Sequence, residues 1–273
     1  MEHKYHIRQE EKEEAESVFV SMTDIMVSFL FIVMLLMAFF ASHYSDNQTI
    51  HHDPLEIYNA KSENIRHNII MHLVEAVRAD IKKEKIEGLE VSTQGDALRF
   101  QGNGLFASGQ GGLSGNSLRI IKLLGHHLAD FMPCFAVGSK GAVALSCNPD
   151  LVMLETVQVE GHTDSNGSHQ NNLVLSTTRA ISAFNEIVPD SKNNDMPEML
   201  EFQNLLGQPI MAVAGYGEMR PVGNNATAVG RAANRRIDMR FIMYVPPGRD
   251  LIPHKVEDID RISSLLKLQD LKK

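Results

Sequence analysis

The chain has no tryptophan, an aromatic content of 6%, and only two cysteines in 273 residues. Two cysteines are too few for a disulfide-dense scaffold. The C-x12-C spacing of Cys134 and Cys147 is not a zinc pattern, and His126 and His127 do not supply the missing ligands, so no metal is expected. Positive charge is also in deficit. The 26 Lys and Arg against 34 Asp and Glu leave a formal charge of -8, and no basic cluster interleaved with aromatics occurs, so direct nucleic-acid binding is not expected. Nor does a nucleophile stand beside a base. The Gly-rich stretch Gly102 to Gly115 lacks the lysine of a phosphate-binding loop, so neither an enzymatic activity nor a cofactor is expected.

What the chain does have is one long apolar run, Val18 to Ala41, within the segment 17–41. A helix rising about 1.5 Å per residue crosses a ~30 Å hydrocarbon core in roughly 20 residues, so this run can span a bilayer. It carries one acid, Asp24. Fourteen residues from Val18 to Phe40 are Val, Ile, Leu or Phe. At about -0.3 to -0.6 kcal/mol each they outweigh the roughly +2.5 to +3.5 kcal/mol of a central Asp. Ser17, Ser21, Asp24 and Ser28 fall on one helical face, which implies a protein or water surface beside it, because lipid offers no hydrogen-bond partner. Two readings of Asp24 remain open: a carboxylate snorkelling from a helix end, or a protonatable group on an ion path.

Lys4, Arg8 and Lys12 precede the run, and no Lys or Arg occurs from Ala41 to Ala60. The positive-inside bias then predicts a cytoplasmic N-terminus, with everything after Ala41 exported. The run is longer than a signal-peptide core and no small-residue cleavage site follows it, so it reads as an uncleaved anchor. Residues 1–16, with six Glu, form a polar tail of unassigned role. In an exporting compartment Cys134 and Cys147 are expected to pair, and closing a loop of ~15 residues contributes about 3 kcal/mol.

The exported part divides into a linker with an amphipathic helix (42–87), a domain at 88–247 and a tail at 248–273 that reads as helical. Residues 42–54 are polar. Ile65, Ile69, Leu73, Val77 and Ile81 step by four, as on one face of a long helix. His51, His52, His67 and His72 read as solvated or packing residues. LEVST and ALRFQ flank a QGD turn as in a hairpin. Ser114, Asn116 or Ser117 can cap a helix reaching Phe131, and strands are expected at 154–161, 210–215 and 236–245, with helices at 170–188 and 227–234. Alternation of strands and helices makes the class α/β or α+β, with helices sandwiched on one mixed sheet.

Two motifs carry the functional reading: V-E-G-H-T-D-S-N-G-S-H-Q-N-N-L-V-L-S-T-T-R-A at 159–180, and G-Y-G-E-M-R-P-V-G-N-N-A-T-A-V-G-R-A-A-N-R-R-I at 215–237. A strand ending in Thr163 and Asp164, followed by a helix with Asn172, Leu175 and Arg179, brings a carboxylate and a guanidinium to one pocket. That pair suits a zwitterion, since Arg holds a carboxylate bidentately while Asp holds an ammonium. An Asp–Arg salt bridge without a ligand is the alternative. Together the motifs resemble the OmpA-like peptidoglycan-binding domain over roughly residues 91–245, with LFASGQGGLS similar to a further family stretch and insertions near 132–152 and 189–200. The resemblance implies that Asp164 and Arg179 form the binding pair for an amino-acid centre such as that of diaminopimelate. Thr163, Asn172, Leu175, Asn225 and Arg235 match other family positions near it, whereas Arg231 and Arg236 read as framework. Ser176, in L-S-x-x-R, reads as a packing or hydrogen-bonding position.

A single helix with an acid, followed by such a domain, is the architecture of stator subunits that resemble flagellar MotB. The flagellar helix usually carries W-K-V-A-Y-A-D-F, which this chain lacks. E-S-V-F-V-S-M-T-D-I-M-V-S-F-L-F-I-V-M-L-L-M-A-F looks more like the ZorB subunits of Zorya anti-phage defence systems. That resemblance implies a homodimer threaded into a pentameric ZorA-like ring, anchored to peptidoglycan, with H+ favoured over Na+ as the ion passing Asp24. A flagellar motility stator and a static wall tether remain the alternatives.

Overall fold

The computed structural model describes residues 22–41, 53–102, 105–106, 109–113, 115–188 and 199–271. The N-terminal tail, Ser17 and Ser21 of the polar stripe, residues 42–52 of the linker, Ser114 and residues 189–198 lie outside the described residues.

Helix α1, Met22–Ala41, has a mean hydropathy of 2.5 and 20 residues, and so is long and apolar enough to cross a membrane. Its Phe29, Leu30, Met37 and Phe40 side chains are all exposed, as a lipid-facing surface requires.

The compact unit from Asp53 onward begins with α2, Pro54–Lys83. Asp53 caps it by accepting from the Leu55 amide at 3.0 Å, and Pro54 occupies the first turn, where its missing N–H costs nothing. Ile69, Leu73 and Val77 are buried, and Ile65 and Ile81 partly so, on the face expected from their spacing. Their partner is the domain itself. α2 packs on the second helix of the unit, α3 (Gly115–Phe131), and on strands β1 (Glu90–Gln94), β2 (Ala97–Gln101) and β5 (Arg236–Met243). The unit therefore starts at Asp53, ahead of the expected boundary at 88, because an amphipathic face does not name what it covers. Asn116 and Ser117 lie inside α3 and are not its caps.

β3 (Leu154–Gly161), α4 (His169–Ile187) and β4 (Met211–Gly215) follow. The sheet order is β1-β2-β5-β3-β4. Only the β3–β4 pair is parallel, and α4 supplies the crossover that a parallel pair needs. Period-two alternation then sorts the sheet. Leu98, Phe100, Val157, Val159, Ile237, Met239 and Phe241 enter the core with the helices, and the residues between them, Arg99, Glu160 and Asp238, align across three neighbouring strands.

The two expected insertions are structured where they are described. Cys134 and Cys147 form a disulfide with Cα atoms 6.0 Å apart. Asn148, fully buried, donates to the carbonyls of Cys134 (2.9 Å) and Val152 (2.8 Å) and accepts from the Val152 amide (3.0 Å). Met199, Phe202 and Leu205 join the core, with Gln203 bridging to Val137. A short helix α5, Ala228–Asn234, precedes β5. The last helix, α6 (Asp258–Asp270), buries Ile259 and Ile262 in the same core, so the segment after 247 belongs to the unit.

Candidate functional site

The site forms where β3 ends. The His162 amide donates to the Arg236 carbonyl (3.0 Å) and the Thr163 amide to the Gly217 carbonyl (2.9 Å), which carries the extended chain past the sheet to Asp164. α4 starts opposite, capped by Ser168, and crosses close over β3: a Cβ on Gly161 would collide with the Ser176 carbonyl. Ser176 is fully buried, donates to the Leu173 carbonyl and accepts from the Gly217 amide, both at 2.8 Å, so it ties the helix to the loop after β4.

Asp164 is buried. Its Oδ1 accepts from the Asn166 amide (3.0 Å) and its Oδ2 from Arg235 Nη1 (2.8 Å). Arg179 is 1% exposed and makes no hydrogen bond to Asp164. Its Nε donates to the Gln110 carbonyl (3.0 Å) and its Nη1 to the His162 carbonyl (3.3 Å), and its guanidinium lies 4.8 Å over the Phe106 ring. Burial and the neighbouring Arg235 lower its pKa to about 10, with Asp164 opposing, so it remains charged at neutral pH. The sequence reading takes Asp164 and Arg179 as the two halves of a ligand-binding pair, with a direct salt bridge between them as the alternative; the direct ion-pair partner of Asp164 is Arg235.

Thr163 and Asn172 stand around these charges. Both are buried; Asn172 faces the Glu218 carboxylate, whereas Thr163 Oγ1 finds no partner among the described residues. Buried polar atoms of this kind are costly unless a ligand or water meets them. Leu175 is half-buried on α4 beside Gly111. A Cβ at Gly111 would sit 2.6 Å from Thr178 Cγ2, so glycine lets the 109–113 loop reach the helix and present the Gln110 carbonyl to Arg179. Asn225 uses its side-chain oxygen within the unit. Its Oδ1 accepts from the Ser165 amide (3.2 Å) and from Asn234 Nδ2 (2.8 Å), which braces the loop carrying Asp164. Asn234, Phe106 and Gln110 were missed in the sequence, although Phe106 lies in the LFASGQGGLS stretch.

Behind the pocket is a buried charged network. Asp238 accepts from Arg99 Nε and Nη2 (2.9 Å each) and Arg236 Nε (3.0 Å), and Glu160 accepts from Arg240 Nε (2.7 Å) and Nη2 (3.1 Å). Burial alone would raise the Glu160 carboxyl, but the contact with His162 and the Arg240 pairing together outweigh it and hold the pKa at about 2. His162, stacked on Tyr216 at 5.3 Å, has its pKa lowered by burial, against the pull of Glu160. Ligand atoms of Glu160, His162 and Asp238 lie within 4.8 Å of one another. Both carboxylates are already satisfied by guanidinium groups, and a divalent cation there would face Arg99, Arg236 and Arg240, so the residues do not fit a metal.

Residues 142–235 match the OmpA family model, and the compact unit has an OmpA-like fold. Three curated relatives share local similarity. Outer membrane porin F of Pseudomonas aeruginosa is 42% identical over 80 residues, 29% of this chain and 19% of the porin. Motility protein B of Bacillus subtilis is 31% identical over 94 residues, 33% of this chain and 30% of that protein. Peptidoglycan-binding protein ArfA of Mycobacterium tuberculosis is 36% identical over 83 residues, 30% of this chain and 21% of that protein. The chain thus spans less than a third of the length of each of these relatives.

Proposed function

We propose that the compact unit binds peptidoglycan and that, with α1 in the inner membrane, the chain is a wall-anchored stator-type subunit of an ion-driven motor, ZorB-like in its role. The observation that carries the binding reading is a buried cluster of opposite charges. One carboxylate, Asp164, stands beside the guanidinium groups of Arg235 and Arg179, next to the buried Thr163 Oγ1, which has no partner among the described residues. This set carries a net charge of one positive unit and offers an acceptor for an ammonium and donors for a carboxylate. An amino-acid centre in a wall peptide, such as that of diaminopimelate, presents both. ArfA, whose name states peptidoglycan binding, and the OmpA-family match support the same reading.

The motor reading rests on Asp24 within an otherwise apolar membrane-length helix, since a static tether has no use for a carboxylate there. The similarity to Motility protein B supports a stator in general. The lack of the flagellar helix sequence favours anti-phage defence over motility. In this account two copies thread a pentameric ZorA-like ring, with the N-terminus cytoplasmic and the compact unit periplasmic, and H+ passes Asp24 to turn the ring. The experiment is Asp24→Asn, expressed with the ring subunit in cells challenged with phage. The variant should insert at normal level and give no protection; full protection by the Asn variant rules out the ion path.

A further inference from the structure

A groove of about 610 Å³ lies between the β1–β2 hairpin and α5, and it shares Arg235 and Asn166 with the surroundings of Asp164. Glu90 and Gln101 line its hairpin side, Arg231 and Arg235 its helix side. The two arginines are four residues apart, with the Arg235 amide donating to the Arg231 carbonyl at 3.1 Å, so they sit one above the other, roughly 6 Å apart at Cβ. Their charges are balanced differently. Arg235 is paired with Asp164, whereas Arg231 is half-buried and donates Nη1 to the Asn225 carbonyl (2.8 Å), with no carboxylate in ion-pair range among the described residues. The groove's one acid, Glu90, accepts from Gln101 Nε2 at 3.1 Å. The groove is large enough for a dipeptide and carries a guanidinium without an ion-pair partner among the described residues, one helical turn from the site.

We propose that Arg231 is a second anion subsite, which holds a carboxylate on the residue adjacent to the amino-acid centre clasped at Asp164, so that the domain reads an acidic peptide rather than one amino acid. The inference rests on the wall-binding reading. A one-turn offset matches the reach between functional groups on neighbouring residues of one peptide, and a half-buried guanidinium gains a charge-assisted, bidentate partner when a carboxylate enters.

The test is calorimetry on the full chain in detergent micelles with three probes: diaminopimelate, and γ-glutamyl-diaminopimelate with its glutamyl α-carboxyl free or amidated. Wild-type protein should bind the free acid about tenfold more tightly than the amide. Arg231→Gln should abolish that preference and leave affinity for the amide within about twofold, which also shows that the variant is folded. Arg231→Lys should keep part of the preference. Asp164→Ala should lose all three probes, so a failure at Asp164 is distinguishable from a failure at Arg231. Equal binding of free acid and amide by wild type, or an unchanged preference in Arg231→Gln, overturns the subsite. Failure of wild type to bind any probe overturns the wall reading and the subsite with it.

Discussion

Asp164 accepts from Arg235 Nη1 at 2.8 Å, across 71 residues of sequence, while Arg179 turns its Nε and Nη1 to the carbonyls of Gln110 and His162. The two arginines therefore differ in kind. Arg235 sets the charge of the pocket, and Arg179 is also a strut that ties the 109–113 loop to the end of β3.

It follows that Arg179→Lys should fail in two ways. An ammonium cannot satisfy two diverging carbonyls in the plane of a guanidinium, and leaving buried acceptors unpaired costs about 1–3 kcal/mol each. Thermal or urea unfolding should show a loss of roughly 2 kcal/mol, together with weaker ligand binding. Arg235→Gln should lose binding with a smaller loss of stability, because Arg235 is more exposed than the fully buried Arg179.

Acid should destabilise the unit in two windows. Glu160 has a folded pKa of about 2 against an ordinary 4.5, so its stabilisation is complete above pH 4.5 and is lost as pH falls from there toward 2. His162 is held below its ordinary 6.5, so below that pH the unfolded chain takes up the proton first and stability falls as well. Melting temperature against pH should decline in both windows. His162→Gln should flatten the upper window and Glu160→Gln the lower one. An unchanged profile in both variants would contradict the network as described.

Truncation tests where the unit begins. A fragment of residues 88–247 removes α2 and α6, and with them the buried Ile70, Leu73, Val74, Val77, Ile259 and Ile262, so the core surface that these side chains cover is exposed. At ~25 cal/mol per Å² of apolar surface, such a loss rivals the whole stability of a domain. That fragment should aggregate or unfold, while residues 53–273 should give a cooperative melt in calorimetry. Equal stability of the two would place α2 and α6 outside the folding unit.

Much of this was legible in local pattern. The four-residue steps Ile69, Leu73 and Val77 marked the buried face of α2, the helices expected at 170–188 and 227–234 correspond to α4 and α5, and the two motifs marked the segments that carry the candidate site. What local pattern could not carry was long-range pairing. Arg99, Glu160 and Asp238 read singly as polar strand positions, and only the β2–β5–β3 register makes them one buried network. Likewise the choice of Arg235 over Arg179 for Asp164 depends on β5 lying beside β3, which no spacing in the sequence states.

The central claim, that this pocket holds the cell wall, is tested most directly by co-sedimentation of residues 53–273 with purified peptidoglycan sacculi. Wild-type protein and the exposed-loop control Lys140→Ala should pellet with the sacculi. Asp164→Ala and Arg179→Ala, each first shown to be folded by circular dichroism, should stay in the supernatant, because each leaves one ligand charge desolvated without its partner. Wild-type sedimentation by both folded variants would mean that Asp164, Arg179 and Arg235 form an internal charge cluster and that the wall is held elsewhere.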